Sequence, residues 1–332
     1  MPTQYNQLNT PIRILITAVG SELACSILKA CKLFSKPVFL MGCDLHPKVV
    51  GRFWCDDFVS IPPPSLGKAY ILALGKLVRS KKISVIIPTA DAEFPVISRH
   101  KADFLEQYGC HVLVNDPEEI TRFNDKWLSA QWYEAQGIPA PKTFLADRLD
   151  ELRPIVQELI FPLILKPRRG GGSRFLFPVN SWDEIVRYQP VVPQPILQEY
   201  LLPDHEEYTA GTYRDQQNVV YVIILKRTLK FGMTNTAQSI VDRPELEDFC
   251  RKIVLHTNLQ GSNNIQFRVT SEGPKILEIN PRFSGTTGIR AHCGFNDVEM
   301  WVTEALGLGV ISPPVIKKCY VLRYMEEVYF EE

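Results

Sequence analysis

The chain has 332 residues, 45% of them hydrophobic and 22% charged, which is enough for a large core and for two or three subdomains. Lysine plus arginine and aspartate plus glutamate number 37 each, so the chain lacks the net basic field that attracts nucleic acid or an anionic membrane surface. We therefore expect neither of these partners, and any charge chemistry must be local.

The N-terminal segment and the cysteines predict a cytoplasmic protein. The first residues, MPTQYNQLNTPIR, are polar and lack the apolar core of a signal peptide, and no apolar run reaches the length of a membrane span. The eight cysteines are scattered without a CxxC pair, which favours reduced, buried thiols over disulfides or a zinc site.

The first third of the chain alternates strand and helix. IRILITAVG is typical of a buried strand that ends in a glycine turn, ELACSILKACKLF of an amphipathic helix, and PVFLMGCD of the next strand. ISVIIPTADAE is a further apolar strand that runs into a polar loop. This rhythm predicts a parallel sheet with helices on its faces, so residues from about 12 to 115 are expected to form a small Rossmann-type domain.

The loops after these strands contain candidate ligand contacts. The turn 19–22 lacks the second glycine that a pyrophosphate needs and places Glu22 where the phosphate would lie, which disfavours a nicotinamide cofactor. Asp44 fits a turn or capping residue as well as a ribose ligand. Thr89, Asp91 and Glu93 follow the strand VIIP at the expected ligand edge of the sheet, where they fit either substrate contacts or a capped helix start.

A helix and a glycine-rich loop follow from about residue 124. NDKWLSAQWYEAQGIPAPKTF predicts a helix with an Asn/Asp cap that ends at Gly137. PLILKPRRGGGSRFLFPV is then an apolar strand ending in a lysine, followed by a loop of arginines, glycines and a serine. Glycines let backbone amides approach an anion and basic side chains neutralise it, so this loop is either a phosphate cover or a flexible basic hairpin tip. It is not a Walker A loop, because no GK[ST] follows the glycines.

The next stretch, PILQEYLLPDHEEYTAG, combines a linker with acids. A strand reaches Glu199, a short linker follows, and Glu206 and Glu207 precede another strand. Such a linker can bind adenine through its backbone and ribose through a carboxylate, although acids near a turn are also common as solvated residues.

Two later strands, NNIQFRVT and KILEIN, are joined by the turn SEGP. A hairpin centred near Glu272 places Gln266 opposite Glu278, with Asn280 one step diagonal, so their oxygens converge. Mg²⁺ prefers such oxygens and leaves positions for water and nucleotide phosphates. Arg282 extends from the same face and can hold a phosphoryl oxygen or a carboxylate. The alternative is a solvent-facing polar side of the hairpin.

Taken in order, these segments resemble an ATP-grasp enzyme, most closely one ATP-grasp unit of the carbamoyl-phosphate synthetase large subunit and its single-copy carboxylate–amine ligase relatives. The series comprises Lys126 in NDK, Lys166 in ILKP, glycines 170–172, Glu199 in QEYL, Glu207 in EEYT, Gln266 in IQF, and Glu278, Asn280 and Arg282 in EINPR. The resemblance implies an α/β fold with a Rossmann-like pre-ATP-grasp domain (1–118), a lid lobe with the glycine-rich loop (119–198) and a C-terminal lobe with the metal site (199–332). The two α+β lobes would grip the nucleotide.

The resemblance also implies ATP and one or two Mg²⁺ ions, with Mn²⁺ as a substitute, and a role for each matching residue. The residues that would bind ATP are Lys126, Lys166, Gly170, Gly171, Gly172, Ser173, Glu199, Tyr200, Leu201 and Glu207. The metal ligands would be Gln266, Glu278 and Asn280, and Arg282 and Lys166 would be catalytic. Arg290, in the segment that follows the metal strand, is a further catalytic candidate that could bind a substrate carboxylate. His292 is an alternative to Arg290 as a ligand of the substrate carboxylate. Lys226 and Arg227 could also bind this carboxylate. Lone residues of these types are also often structural.

The activity implied is ATP-dependent ligation of a small-molecule carboxylate to an amine through an acyl phosphate, with release of ADP and phosphate. The alternative is bicarbonate activation through carboxyphosphate, although Thr234 stands where the synthetase carries a histidine near the bicarbonate site. A nucleotide-binding module without turnover, or a nicotinamide-binding protein, is the third hypothesis. The mixed apolar first domain is compatible with a homodimer.

Overall fold

The computed structural model describes residues 10–172 and 174–330. Its first sheet is parallel and has the strand order β3-β2-β1-β4-β5. The strands are β1 (Ile12–Ile16), β2 (Val38–Asp44), β3 (Asp57–Ser60), β4 (Val85–Ile87) and β5 (His111–Val112). The helices around this sheet are α1 (Glu22–Cys31), α2 (Lys68–Lys81), α3 (Phe94–Ile97), α4 (Lys101–Tyr108) and α5 (Pro117–Phe123).

Both faces of this first sheet are buried, as the apolar strands predicted. Ile14 and Ile16 pack in one core cluster with α1, whereas Leu15 between them packs in another with α2. Successive strand residues point to opposite faces, so an uninterrupted apolar run covers both. The expected Rossmann-like domain is therefore confirmed.

The first turn of this domain is closed by local hydrogen bonds. Ser21 caps α1 by accepting a hydrogen bond from the Ala24 amide at 3.1 Å. Asp44 accepts hydrogen bonds from the Gly20 amide at 2.8 Å and the His46 amide at 3.0 Å. Of the two interpretations open for Asp44, the structure therefore shows the turn residue.

A second, antiparallel sheet has the order β6-β9-β7-β8. Its strands are β6 (Thr143–Leu145), β7 (Leu163–Pro167), β8 (Phe177–Val179) and β9 (Pro195–Glu199). Helix α6 (Lys126–Ala135) precedes it, and α7 (Leu149–Val156) and α8 (Trp182–Tyr188) contribute to its core. The predicted cap of α6 is confirmed, because Asp125 accepts hydrogen bonds from the amides of Trp127 and Leu128, both at 3.1 Å. We call this sheet with α7 and α8 the lid.

A third sheet is antiparallel and has the order β14-β13-β10-β11-β12-β15. Its strands are β10 (Glu207–Arg214), β11 (Val220–Lys230), β12 (Met233–Ile240), β13 (Gly261–Thr270), β14 (Gly273–Asn280) and β15 (Tyr320–Leu322). Helix α9 (Pro244–Leu255) packs on one face, and α10 (Thr287–His292) and α11 (Asp297–Ala305) pack on the other. That second face shares its core with α1, which joins the third sheet to the first domain.

The hairpin β13–β14 has the predicted pairing, with Gln266 opposite Glu278. Near the turn Thr270 pairs with Gly273, and this register alone would place Leu277 opposite Gln266. A bulge next to Gln266 shifts the pairing by one residue. Leu277 is thereby passed over, and Glu278 takes the position opposite Gln266.

None of the helices within residues 10–172 and 174–330 is long and apolar enough to cross a bilayer.

Candidate active site

Two cavities meet beneath the glycine-rich loop. The lid cavity, of about 330 Å³, lies between the lid and the third sheet, where Lys166, Glu199 and Arg268 line it. The base cavity, of about 590 Å³, lies between the third sheet and loops of the first domain, where Glu22, Asp91 and Arg282 line it. The residues that line both cavities are Gly170, Gly171, Gly172, Arg227, Gly232, Gln266 and Glu278.

The three predicted metal ligands lie together where the cavities meet. Asn280 is 8% exposed and lines the base cavity, whereas Glu278 lines both. Neither side chain makes a hydrogen bond or an ion pair with any other described residue. Gln266 differs, because its Oε1 accepts a hydrogen bond from Arg227 Nη2 at 2.8 Å.

This donor set fits a hard cation that also binds a ligand. Across the described parts of the chain, no group of three or more histidine, cysteine, aspartate or glutamate side chains is placed to hold a metal ion by itself. Glu278 and Asn280 offer a carboxylate and an amide oxygen that have no protein partner there. Mg²⁺ accepts one or two protein oxygens when water and phosphates complete its shell, so these two residues suit a nucleotide-bound Mg²⁺.

Two lysines from different elements line the lid cavity. Lys166, near the end of β7, donates a hydrogen bond from Nζ to Gln198 Oε1 at 2.7 Å. Burial, reinforced by the nearby charge of Lys126, lowers the pKa of Lys166 to about 8. Lys126, at the start of α6, donates from Nζ to the Gly170 carbonyl at 2.6 Å. A bound polyphosphate would favour the charged form of Lys166.

The glycine-rich loop lies against the turn between β11 and β12. Gly170 and Gly172 have φ angles of +98° and +69°, which side chains rarely adopt. Gly232 in the β11–β12 turn has a φ of +74°, and a Cβ there would lie 2.7 Å from the Gly172 carbonyl oxygen. Only glycine permits this approach. Ser173, the remaining predicted loop contact, lies outside the described residues.

The two arginines that begin this loop bind a protein carboxylate. Arg168 Nε lies 2.7 Å from Asp125 Oδ1 and Arg169 Nε lies 3.2 Å from Asp125 Oδ2. Asp125 is 1% exposed, so the pair anchors the loop to the start of α6. The positive charge of Arg168 and Arg169 is therefore partly compensated, whereas Lys126 and Lys166 line the lid cavity without a carboxylate partner among the described residues.

The predicted nucleoside contacts also line the lid cavity: Glu199, Tyr200, Leu201 and Glu207. The Leu201 carbonyl accepts a hydrogen bond from Arg268 Nη1 at 2.5 Å. Glu207 binds two arginines, with Arg227 Nη2 and Arg268 Nη2 each 2.9 Å from one of its oxygens. Glu207 is thus placed beside the cavity but is already engaged.

Arg282 follows β14 and connects it to the first domain. Its Nε donates to Asp91 Oδ1 at 2.8 Å and its Nη1 donates to the Phe283 carbonyl at 3.0 Å. Both Arg282 and Asp91 line the base cavity. Thr89 and Glu93 are instead buried and hydrogen-bonded to each other, with Thr89 N 3.1 Å from Glu93 Oε2. Of these three acids and hydroxyls, only Asp91 faces the cavity.

Arg290 requires a correction, because its position contradicts the expected catalytic role. The side chain is fully buried, and Nη2 donates to Asp297 Oδ2 at 2.7 Å and to Thr287 Oγ1 at 2.9 Å. A Cβ at Gly211 would lie 2.3 Å from its Cδ. Arg290 lines neither cavity and holds α10, α11 and β10 together. His292 is exposed and also lines neither cavity.

Several residues of the base cavity carry no separate sequence signal, namely Asn264, Ser284 and Thr286. Glu22 and Thr234, whose positions the sequence singled out, line the same cavity. Glu22 pairs with Arg323 near the end of the described chain. The strand order brings Arg227 and Asn264 to the cavities, because the two residues lie on the strands that flank β10.

The chain matches one family model, described as ATP-grasp in the biosynthetic pathway with Ter operon, over residues 192–328. Among curated proteins it is 28% identical to the carbamoyl phosphate synthase large chain of Archaeoglobus fulgidus over 196 residues, which is 55% of this chain and 18% of that protein. The Thermus thermophilus large chain is 26% identical over 225 residues, which is 63% of this chain and 22% of that protein. The chain thus spans about a fifth of the length of these relatives.

Solved structures match nearly the whole chain. N5-carboxyaminoimidazole synthetase from Staphylococcus aureus has a TM-score of 0.73 at 14% identity, covering 95% of this chain and 82% of that chain. The biotin carboxylase domain of Hydrogenobacter thermophilus 2-oxoglutarate carboxylase, solved with MgADP, ADP and bicarbonate, has a TM-score of 0.70 at 15% identity. It covers 91% of this chain and 71% of that chain.

Proposed function

We propose, on the premise that this chain has the ATP-grasp fold, that it is an ATP-dependent ligase that joins a carboxylate to an amine. The reaction would proceed through an acyl phosphate and release ADP and phosphate. The observation that carries this proposal is the position of Glu278 and Gln266 in the wall shared by two cavities. These side chains therefore lie within reach of a nucleotide in one cavity and an acceptor in the other.

The lid cavity supports the nucleotide part of the proposal. Lys126 and Lys166 would bind phosphates, and glycines 170–172 would cover them. The linker 199–201 would bind adenine through Glu199 and the backbone, and Glu207 would bind ribose on release from one of its arginines. Magnesium would be held by Glu278 and Asn280, and it would neutralise charge on the phosphates.

The base cavity supports the acceptor part. Arg282 would orient the acceptor carboxylate by its planar fork, while Asp91 fixes the guanidinium. One carboxylate oxygen attacks the γ-phosphorus and the bond to the ADP oxygen breaks, which leaves an acyl phosphate. The amine then attacks the carbonyl carbon, phosphate leaves with the shared oxygen, and the amine loses one proton. The chain's own contribution is positioning and charge stabilisation.

The first test is ADP release by the full chain with Mg²⁺ and ATP across a panel of amino acids and other carboxylates, each with and without hydroxylamine. One acid should raise ADP release and yield a hydroxamate. Glu278→Gln should abolish both, whereas Glu272→Gln, in the exposed turn of the same hairpin, should leave both unchanged. ADP release without a hydroxamate for any acid would overturn the ligase proposal.

Bicarbonate activation is the second candidate. Thr234, which stands where the synthetase carries a histidine near its bicarbonate site, lines the base cavity. A solved neighbour with a similar fold contains bicarbonate. Bicarbonate alone should then stimulate ADP release, and no organic acid in the panel should add to it. Nucleotide binding without turnover under any condition would instead support a binding module.

We also propose that the functional units follow the boundaries 1–118, 119–198 and 199–332, that the protein acts in the cytoplasm, and that it forms a homodimer. The three sheets support these boundaries, although α5 (Pro117–Phe123) crosses the first boundary and β9 ends at Glu199, one residue beyond the second. Sedimentation velocity of the full chain would test the dimer.

A further inference from the structure

Arg227 occupies the junction of the two cavities. It lies on β11, its side chain is 9% exposed, and it lines both cavities. Its Nε and Nη2 donate to Glu207 Oε1 at 3.2 and 2.9 Å, and Nη2 also donates to Gln266 Oε1 at 2.8 Å. Its Nη1 has no hydrogen-bond partner among the described residues.

The ion-pair partner of Arg227 is shared with a second cation. Glu207 is the single carboxylate shared by the guanidinium groups of Arg227 and Arg268. One positive charge therefore remains uncompensated among these three side chains. Because the cluster is largely buried, the surrounding water screens this charge only weakly. An anion at the junction would compensate it.

The same contact changes the expected metal site. Gln266 Oε1 already accepts a hydrogen bond from a cation, whereas Glu278 and Asn280 have no such partner within the described chain. A carbonyl oxygen has a second lone pair, but a divalent ion bound there would lie next to a guanidinium and be repelled by it. Gln266 is therefore less suited to bind a metal ion than Glu278 and Asn280 are.

We propose that Arg227 binds the transferring phosphoryl group at the junction and takes the place of a second metal ion, so that the site holds one Mg²⁺ on Glu278 and Asn280. This inference rests on the proposed ligase function for its catalytic part. Arg227 Nη1 donates a hydrogen bond to a phosphoryl oxygen. The positive charge that Glu207 does not neutralise stabilises the negative charge of the phosphoryl group. Gln266 orients the guanidinium.

The metal count is tested by electron paramagnetic resonance of Mn²⁺ titrated into the full chain with saturating ADP. Wild-type protein should bind one Mn²⁺ per chain, and Arg227→Met, which frees Gln266 Oε1, should bind two. A count of two in the wild type, or of one in Arg227→Met, overturns the inference. This readout needs no turnover, so it stays informative if the ligase proposal fails.

The catalytic part is tested with the acid found in the panel. Arg227→Met should lower kcat on the order of 100-fold, as expected for one lost charge-stabilising group, with KM for ATP changed less than threefold. Arg227→Lys keeps the charge and should recover part of kcat, and it controls for loss of folding. Arg148→Met, in an exposed pair with Glu151, is the matched control. An Arg227→Met variant with wild-type kcat would overturn this role.

Discussion

Gln266 stands directly opposite Glu278 on adjacent strands, yet only Glu278 is without a hydrogen-bond or ion-pair partner within the described chain. The bulge that passes over Leu277 creates this pairing, and the sheet order places Arg227 near Gln266. The pair therefore lies at the proposed metal site and borders the proposed phosphate site.

Nucleotide affinity should depend on pH through Lys166. Its pKa is lowered to about 8, and phosphate binding favours the protonated form. Below this pKa the amine is charged and affinity is full; above it the charge is lost, so the Kd for ADP should rise up to about tenfold per pH unit. Calorimetric titration of ADP from pH 6.5 to 9.5 measures this.

Two variants identify the group that titrates. Lys166→Gln should bind ADP more weakly at pH 7 and lose the rise above pH 8. Lys126→Gln should keep the rise but shift it to higher pH, because the charge of Lys126 contributes to lowering the pKa of Lys166. An unchanged pH profile in Lys166→Gln would exclude Lys166 as the titrating group.

Gly232→Ala should impair nucleotide binding beyond its effect on stability. The new Cβ would meet the Gly172 carbonyl oxygen at 2.7 Å, which pushes the glycine-rich loop away from the cavity. The positive φ alone costs about 1–2 kcal/mol. We expect KM for ATP to rise about tenfold, which corresponds to about 1.4 kcal/mol of binding free energy.

Gly109→Ala is the matched control, because Gly109 also has a positive φ but its added Cβ would meet nothing within 4 Å. Both variants should lose similar free energy of unfolding in urea. Equal KM values for ATP in the two variants would contradict a role for the Gly172–Gly232 contact.

Arg290→Met should destabilise the fold without a specific effect on turnover. Removing Arg290 leaves the buried Asp297 without its cation, which typically costs about 3–5 kcal/mol. Arg243→Met removes an exposed pair with Glu245 and should have little effect on stability, because solvent screens such a pair. Urea unfolding measures both losses. A loss of kcat in folded Arg290→Met would restore the catalytic interpretation.

The sequence was sufficient to predict those features that depend on residues close together in the chain. The ATP-grasp resemblance and its fold are confirmed by the comparisons, and the pairing of Gln266 with Glu278 is confirmed by the register. That pairing was predicted from a hairpin centred near Glu272, whereas the structure reaches it through a bulge that passes over Leu277, which was not predicted.

Contacts between distant segments could not be predicted. Arg290 was expected at the substrate, but Gly211 leaves a buried space for it and Asp297 neutralises it, and both contacts depend on tertiary packing. The role of Arg227 was left open, because the residues that its side chain contacts depend on the order of β13, β10 and β11 in the sheet. The ion pairs of Glu207 with Arg227 and Arg268 also depend on this strand order, because the two arginines lie on the strands that flank β10.

The most direct test of the central claim follows one oxygen atom. The acid that best stimulates ADP release is labelled with ¹⁸O in its carboxylate, and the released phosphate is analysed by mass spectrometry. Transfer through an acyl phosphate predicts one ¹⁸O in each phosphate released with product. Unlabelled phosphate, formed in equal amount with ADP, would mean that water and not the carboxylate accepts the phosphoryl group, which would contradict the account.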